Sequence, residues 1–363
     1  MPYFFLFVFI IFCFSFIQRT DTKLEKVFEI NLPFIIILVV TLILFYGLRY
    51  DVGIDYMSYY KNASDRIFDL PQKGTGELFE PAFRFLYRLA DFFELPPNTI
   101  FVLGGAIIYC FLFLACFNYS SNICLSIFIF FGSGLFFFSF NEFRQFIAVS
   151  IVFYGYKYCV EKNLFFWIFT IIIAMLFHKS AFIAFPMFFV CNRRYSRKFI
   201  NLVLIAIIIL KKIGALALLC FVLSYLPAPY CNYAQILPYM VTKGGSGLLG
   251  YSYILLILVL NNTKDNEITY EENFFFNLFI IATVFLNIFS NVYMVIRLME
   301  YYSISLLIFY PSFYKFSKKN KYRYIFFLIM TTLFFFNFSK YAFFSPDSNK
   351  LEYHTVFNKE GYN

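Results

Sequence analysis

Apolar runs of bilayer length recur from one end of this chain to the other, and that recurrence constrains the fold more than any other feature. A hydrocarbon core about 30 Å thick is spanned by roughly 17–25 apolar residues in a helix, and only helices or closed barrels satisfy every backbone polar group inside it. Runs are legible at 3–17, 34–48, 100–117, 123–140, 143–160, 164–177, 180–191, 199–226, 248–261, 274–293, 298–313 and 324–339. They predict an all-α, polytopic integral membrane protein with about 12 transmembrane helices, a number that falls to roughly 10 if 164–177 and 180–191 form a re-entrant hairpin. The composition, 61% hydrophobic and 14% charged, agrees. The chain reads as a single transmembrane domain over 1–363, with a long external loop at 49–98 and a polar C-terminal tail at 340–363.

Several function classes drop out early. The eight cysteines form no CxxC pair and no Cys/His cluster, so neither a metal site nor a disulfide framework is expected, and no cofactor motif is present. A net charge of +9 would suggest nucleic acid in a soluble protein. Here the densest basic stretches are short and juxtamembrane, RRYSRK at 193–198 and KFSKKNKYR at 315–323, which orients a membrane protein instead. Residues 3–17 lack a basic n-region and a small-residue cleavage site, so they read as a retained first helix with its N-terminus outside. Lys and Arg divide evenly between the two sides of that threading, and the density of the two stretches decides the orientation. Lys211 and Lys212 interrupt the 199–226 run and place a helix end near them on the outer side.

On this threading the polar residues set among apolar flanks collect outside: Arg49, Asp51, Asp55, Glu80, Arg144, Gln145, His178, Lys179, Arg297 and Glu300. Ionisable groups at the membrane edge are costly, so their convergence on one face points to function. In NEFRQFIAVS, Asn141 is suited to cap a helix whose first turn holds Glu142, Arg144 and Gln145. An arginine there opposes the helix dipole, and an anionic ligand would satisfy it; a guanidinium reaching for lipid headgroups is the plainer reading. His178, in LFHKSAF, suits either a backbone-bonded helix end or catalysis. Arg297 and Glu300, three residues apart, can pair with each other. The stretch FEPAFRFLYRLADFFEL at 79–95 sets an aromatic face against Arg84, Arg88 and Asp91 at helical spacing, behind Pro81, and predicts an interfacial amphipathic helix on the outer leaflet.

Taken in order, LRYDVGIDYMSYY, FEPAFRFLYRL and the segment from FRQFIAVS to LFHKSAFIAFP resemble the EpsG family of polysaccharide polymerases, which are functionally related to Wzy O-antigen polymerases. The matching positions are Arg49, Gly53, Asp55, Tyr56, Glu80, Pro81, Arg144, Gln145, His178 and, one residue later than adjacent, Ser180. A late Arg297 with Tyr301 or Tyr302 follows, and the likeness spans about residues 34–310. The resemblance implies a GT-C-like helical architecture in the bacterial cytoplasmic (inner) membrane, with its active face outward. It implies a metal-independent glycosyltransferase that polymerises undecaprenyl-pyrophosphate-linked oligosaccharide repeats into O-antigen, capsule or exopolysaccharide. Membrane lipids, a chain-length regulator and a flippase of the same pathway are the implied partners.

In that scheme Arg49, Arg144, Gln145 and Arg297 bind the pyrophosphate, since arginine forks suit its oxygens and stabilise charge as the glycosidic bond breaks. The general base for the acceptor hydroxyl is His178, Asp55 or Glu80, with His178 favoured for its ordinary pKa near working pH. Asp51, Tyr56, Tyr59 and Tyr60 serve as the glycan surface. A polysaccharide ligase would use the same donor and similar arginines. A transporter or flippase of lipid-linked sugars would favour inverted repeats, and an acyltransferase would leave the arginines unexplained.

Overall fold

The computed structural model describes residues 2–16, 24–71, 78–213, 247–261, 268–290, 292–344 and 351–357, with a few positions between 220 and 235. The chain is mostly helical, as expected. In order, α1 is Pro2–Phe16, α2 Leu24–Gly47, α3 Tyr56–Ser64, α4 Pro81–Phe92, α5 Thr99–Tyr119, α6 Ile123–Gly132, α7 Leu135–Asn141, α8 Phe143–Val160 and α9 Leu164–Met175. A 3₁₀ turn follows at Lys179–Ala184. Then come α10 Met187–Val190, α11 Arg197–Ile213, α12 Gly247–Asn261, α13 Tyr270–Ile288, α14 Tyr293–Leu298, α15 Glu300–Ser303, α16 Leu306–Ser317 and α17 Lys321–Ser339. The second half of the 199–226 run, beyond α11, lies largely outside the described residues.

Local chemistry explains many of these boundaries. Asn122, Asn163 and Asn320 each accept a backbone N–H at the start of α6, α9 and α17, and Thr269 with Glu272 forms a capping box on α13. Asn141 departs from its expected capping role. It is the last residue of α7, and its Oδ1 accepts the Ile54 N–H at 2.9 Å, tying the 49–98 loop to the α7–α8 break. The α6–α7 pair bends by 55° at Ser133–Gly134, where Gly134 takes φ +91°, a conformation that L side chains rarely adopt.

Among the described residues, three helices are long and apolar enough to cross a membrane: Thr99–Tyr119, Tyr270–Ile288 and Lys321–Phe343. The bent α6–α7 pair makes a fourth if taken as one span. This is fewer than the expected twelve because apolar sequence does not guarantee an unbroken helix. The 180–191 run becomes a 3₁₀ turn and four residues of helix around Pro186, and the 298–313 run splits into α15 and α16. The α9 helix, with 12 residues, is about 18 Å long and falls short of a full crossing.

The centre of the bundle is α5, packed between α2 and α8, with α9 laid along the far side of α8. Its interior is unusually aromatic, with Tyr46, Phe101, Tyr109, Phe143, Tyr156 and Trp167 all fully buried. Outward faces stay apolar: Phe165, Phe169, Ile172, Leu202, Ile205, Ile208 and Phe336 are exposed, as expected of a membrane protein whose surroundings are lipid.

The described parts of the 49–98 loop fold against the bundle. The amphipathic helix predicted at 79–95 is α4, which packs on α5 with Phe83, Leu86, Tyr87 and Ala90 buried and leaves Phe85 and Phe92 exposed. Its polar side is tied to the loop by Arg88–Asp69 and Arg66–Asp91 ion pairs. The described part of the C-terminal tail joins the same region: β1 (Arg49–Tyr50) pairs antiparallel with β2 (His354–Thr355), and the Tyr353 ring stacks on Phe45 at 4.0 Å.

Candidate active site

The site forms where five interrupted segments meet: the turn into α3, the start of α4, the α7–α8 break, the 178–180 turn and the α14–α15 break. Each interruption frees backbone from a continuous helix and lets a polar side chain point along the bundle rather than out of it.

Arg144, in the first turn of α8, holds Glu80 at 2.7 Å through Nη1 and donates Nε–H to the Tyr59 hydroxyl at 3.2 Å. Its guanidinium lies over the Phe79 ring at 4.9 Å. The side chain is 19% exposed. Glu80 immediately precedes α4, and its other oxygen accepts the Lys179 backbone N–H at 3.5 Å. One carboxylate thus fastens the α4 entry to both Arg144 and the histidine turn.

Arg297, in the last turn of α14, is 29% exposed and lies 3.4 Å from Oε1 of Glu142, which is itself buried. The Tyr293 hydroxyl donates to the same oxygen at 3.0 Å. Arg297 therefore pairs across the bundle with Glu142, not along its own helix with Glu300. Gln145 is buried and donates Nε2–H to the Arg297 carbonyl at 2.6 Å, so it braces α8 against α14.

Asp55 sits just before α3 and feels both arginines. Burial pushes its carboxyl above the usual aspartate range, and Arg297 and Arg144 partly offset that push. His178 precedes the 3₁₀ turn and is pushed down to about 3, first by burial and then by Arg144, Arg297 and Lys179. Its Nδ1 accepts the Ser180 backbone N–H at 3.3 Å and lies 2.6 Å from Ser180 Oγ. An imidazole that accepts through Nδ1 carries its proton on Nε2, so the second nitrogen is a donor. Ser180 Oγ continues to the Tyr301 hydroxyl at 3.0 Å, which couples the turn to α15.

Five expected ligand residues have other surroundings. Arg49 is fully buried: its guanidinium lies 3.7 Å from the Tyr46 ring centre, 4.7 Å from Phe101 and 4.8 Å from Phe140. It donates to the carbonyls of Tyr46 and Val52, closing the turn after α2. Tyr56 is buried and stacks on Phe101 at 4.3 Å, and Tyr60 packs against Tyr50 and Tyr56. Tyr59 is buried beneath Phe79 and Phe83, with its hydroxyl given to Arg144. The rings of Tyr56 and Tyr59 fill the interior rather than offering an open stacking face, while Tyr60 is partly buried. Asp51 occupies the turn at φ +50°.

Glu142, Tyr293 and the Ser180–Tyr301 contact belong to the site and were not among the expected ligands. The visible signals were a glutamate two residues before an arginine at a helix start, and a tyrosine one turn before Arg297. Among the described residues, no group of three or more His, Cys, Asp or Glu side chains is placed to hold a metal ion.

The chain is thus a mostly helical membrane protein in which two partly exposed arginines, each paired with a carboxylate, sit at the ends of interrupted helices. The chain belongs to the EpsG family, whose model matches residues 32–355, nearly its whole length. No curated protein and no solved structure matches it.

Proposed function

We propose that this protein polymerises undecaprenyl-pyrophosphate-linked oligosaccharide repeats into a surface polysaccharide at the outer face of the cytoplasmic membrane. Its frame in this reading is a GT-C-like bundle of about twelve crossings, several of them broken. Membership of the EpsG family supports a polymerase-type activity. The observation that carries the reading is that Arg144 and Arg297, each partly exposed and each paired to a carboxylate, both act electrostatically on Asp55.

Arg144 and Arg297 hold the pyrophosphate and stabilise the charge that grows as the anomeric C–O bond breaks. Asp55 takes the proton of the acceptor hydroxyl, whose oxygen attacks the anomeric carbon while the bonding electron pair leaves with the lipid pyrophosphate. Asp55 is preferred over the other two candidates for physical reasons. Glu80 is committed to Arg144 and to the Lys179 N–H, and His178 presents a donor rather than a free lone pair. His178 then serves best as a neutral donor to a phosphate or sugar oxygen. Arg49 and the tyrosines at 56, 59 and 60 hold the site's walls.

The test uses the purified full chain in liposomes with undecaprenyl-pyrophosphate-linked repeats, reading the polymer ladder by gel. D55N at wild-type protein level is expected to lose roughly 100-fold in rate. Normal ladders from both D55N and R144A would overturn the reading, and polymer transferred intact to a different acceptor would make the protein a ligase.

A further inference from the structure

Behind Arg297 lies a second carboxyl group that the proposed chemistry does not use. Glu142 and Glu300 are both buried, and their side chains face each other closely enough to hydrogen-bond. Among the described residues, neither oxygen of Glu300 meets a donor, nor does Oε2 of Glu142, so a bond between them requires a proton on one. Glu300 also lines a cavity of about 60 Å³ with Ser133, Tyr253, Ile296 and Ser303, at the bend between α6 and α7. The Ser133 hydroxyl is a further buried atom without a partner, and polar walls of this kind suit water. The groups facing the pair are Arg297 and Tyr293 from α14, Asp55 ahead of α3 and Tyr301 from α15.

We propose that Glu142 and Glu300 form a proton-binding site that takes up one proton when a lipid diphosphate draws Arg297 away from Glu142. This rests on the reading of Arg297 as a diphosphate ligand. With one shared proton the pair carries a single negative charge, which Arg297 neutralises across 3.4 Å. A diphosphate competes for the same guanidinium. Once Arg297 turns to it, a buried negative charge is left beside a second anion, and protonation is the least costly way to remove it. The cavity beside Glu300 supplies the path for that proton. Glu142 and Glu300 are positioning residues in this scheme, acting through Arg297.

Calorimetric titration of the purified full chain with undecaprenyl diphosphate, in two buffers of different ionisation enthalpy, counts the protons exchanged on binding. The wild type is expected to take up about one proton more than E142Q/E300Q, and its affinity to strengthen by as much as about tenfold per pH unit lowered relative to that variant. Tight binding with no proton uptake by the wild type overturns the inference and leaves the diphosphate reading standing. No binding at all overturns the diphosphate reading itself. If the double variant does not fold, the wild-type proton count alone decides.

Discussion

Arg49 and Arg144 start from the same position in sequence terms, each an arginine at the mouth of an apolar run, and finish in opposite environments. Arg49 lies against five aromatic rings and two backbone carbonyls, with no carboxylate paired to it among the described residues and no exposed surface. Arg144 has a carboxylate, a phenol and a partly exposed side chain. A buried guanidinium whose charge is spread over ring faces holds a fold together, because moving it would strand carbonyls and leave a large void. One paired with a carboxylate at a partly open edge can exchange that partner for a stronger anion at small cost.

Substitutions sharpen that contrast. R144A and R297A are expected to cost some stability, because each strands a buried carboxylate, but their main effect is that polymer synthesis per folded molecule falls by roughly 100-fold each, measured in the liposome assay. R49A is expected to do the reverse, lowering stability by roughly 3 kcal/mol and reducing folded protein, with activity per folded molecule largely kept. Detergent thermal-shift and fluorescence-detected size exclusion read that difference, and a stable but inactive R49A would erase the distinction.

A smaller effect comes from His178. Its folded pKa of about 3 lies below the ordinary 6.5, so between those values the unfolded chain binds the extra proton. Stability contributed at this site is therefore whole above pH 6.5 and is lost as pH falls toward 3, with a limiting slope of about 1.4 kcal/mol per pH unit. The thermal midpoint of H178Q is expected to fall less steeply than that of the wild type over this range, and parallel curves would contradict the buried neutral ring. The smallest change is Y353A, which removes the stack on Phe45 and is expected to cost about 1 kcal/mol with little change in the rate of surviving enzyme. A larger loss of rate than of stability would move the tail from support into the site.

Much of this was legible in sequence because it depends on local pattern. Apolar runs marked nearly every described helix, and the spacing of aromatic and charged residues at 79–95 marked α4 with its buried and exposed faces. Arg144, Arg297, Asp55, Glu80 and His178 were singled out, and the structure brings them together. Partner choice was not legible, because it is set by long-range packing. Nothing near Arg297 in sequence favours Glu142 over Glu300, and nothing in YGLRYD shows that Phe101 and Phe140 will close over Arg49. Continuity of the spans was equally hidden: an apolar run reads the same whether Gly134 bends it or not.

The central claim is that Arg144 and Arg297 bind the lipid diphosphate while Arg49 only shapes the wall behind them. It is tested most directly by equilibrium binding of undecaprenyl diphosphate to the purified, folded fractions of wild type, R144A/R297A and R49K. The expected result is that R144A/R297A loses binding by at least about 100-fold, whereas R49K, counted per folded molecule, binds as the wild type does. Undiminished binding by R144A/R297A together with loss of binding by folded R49K would contradict the account.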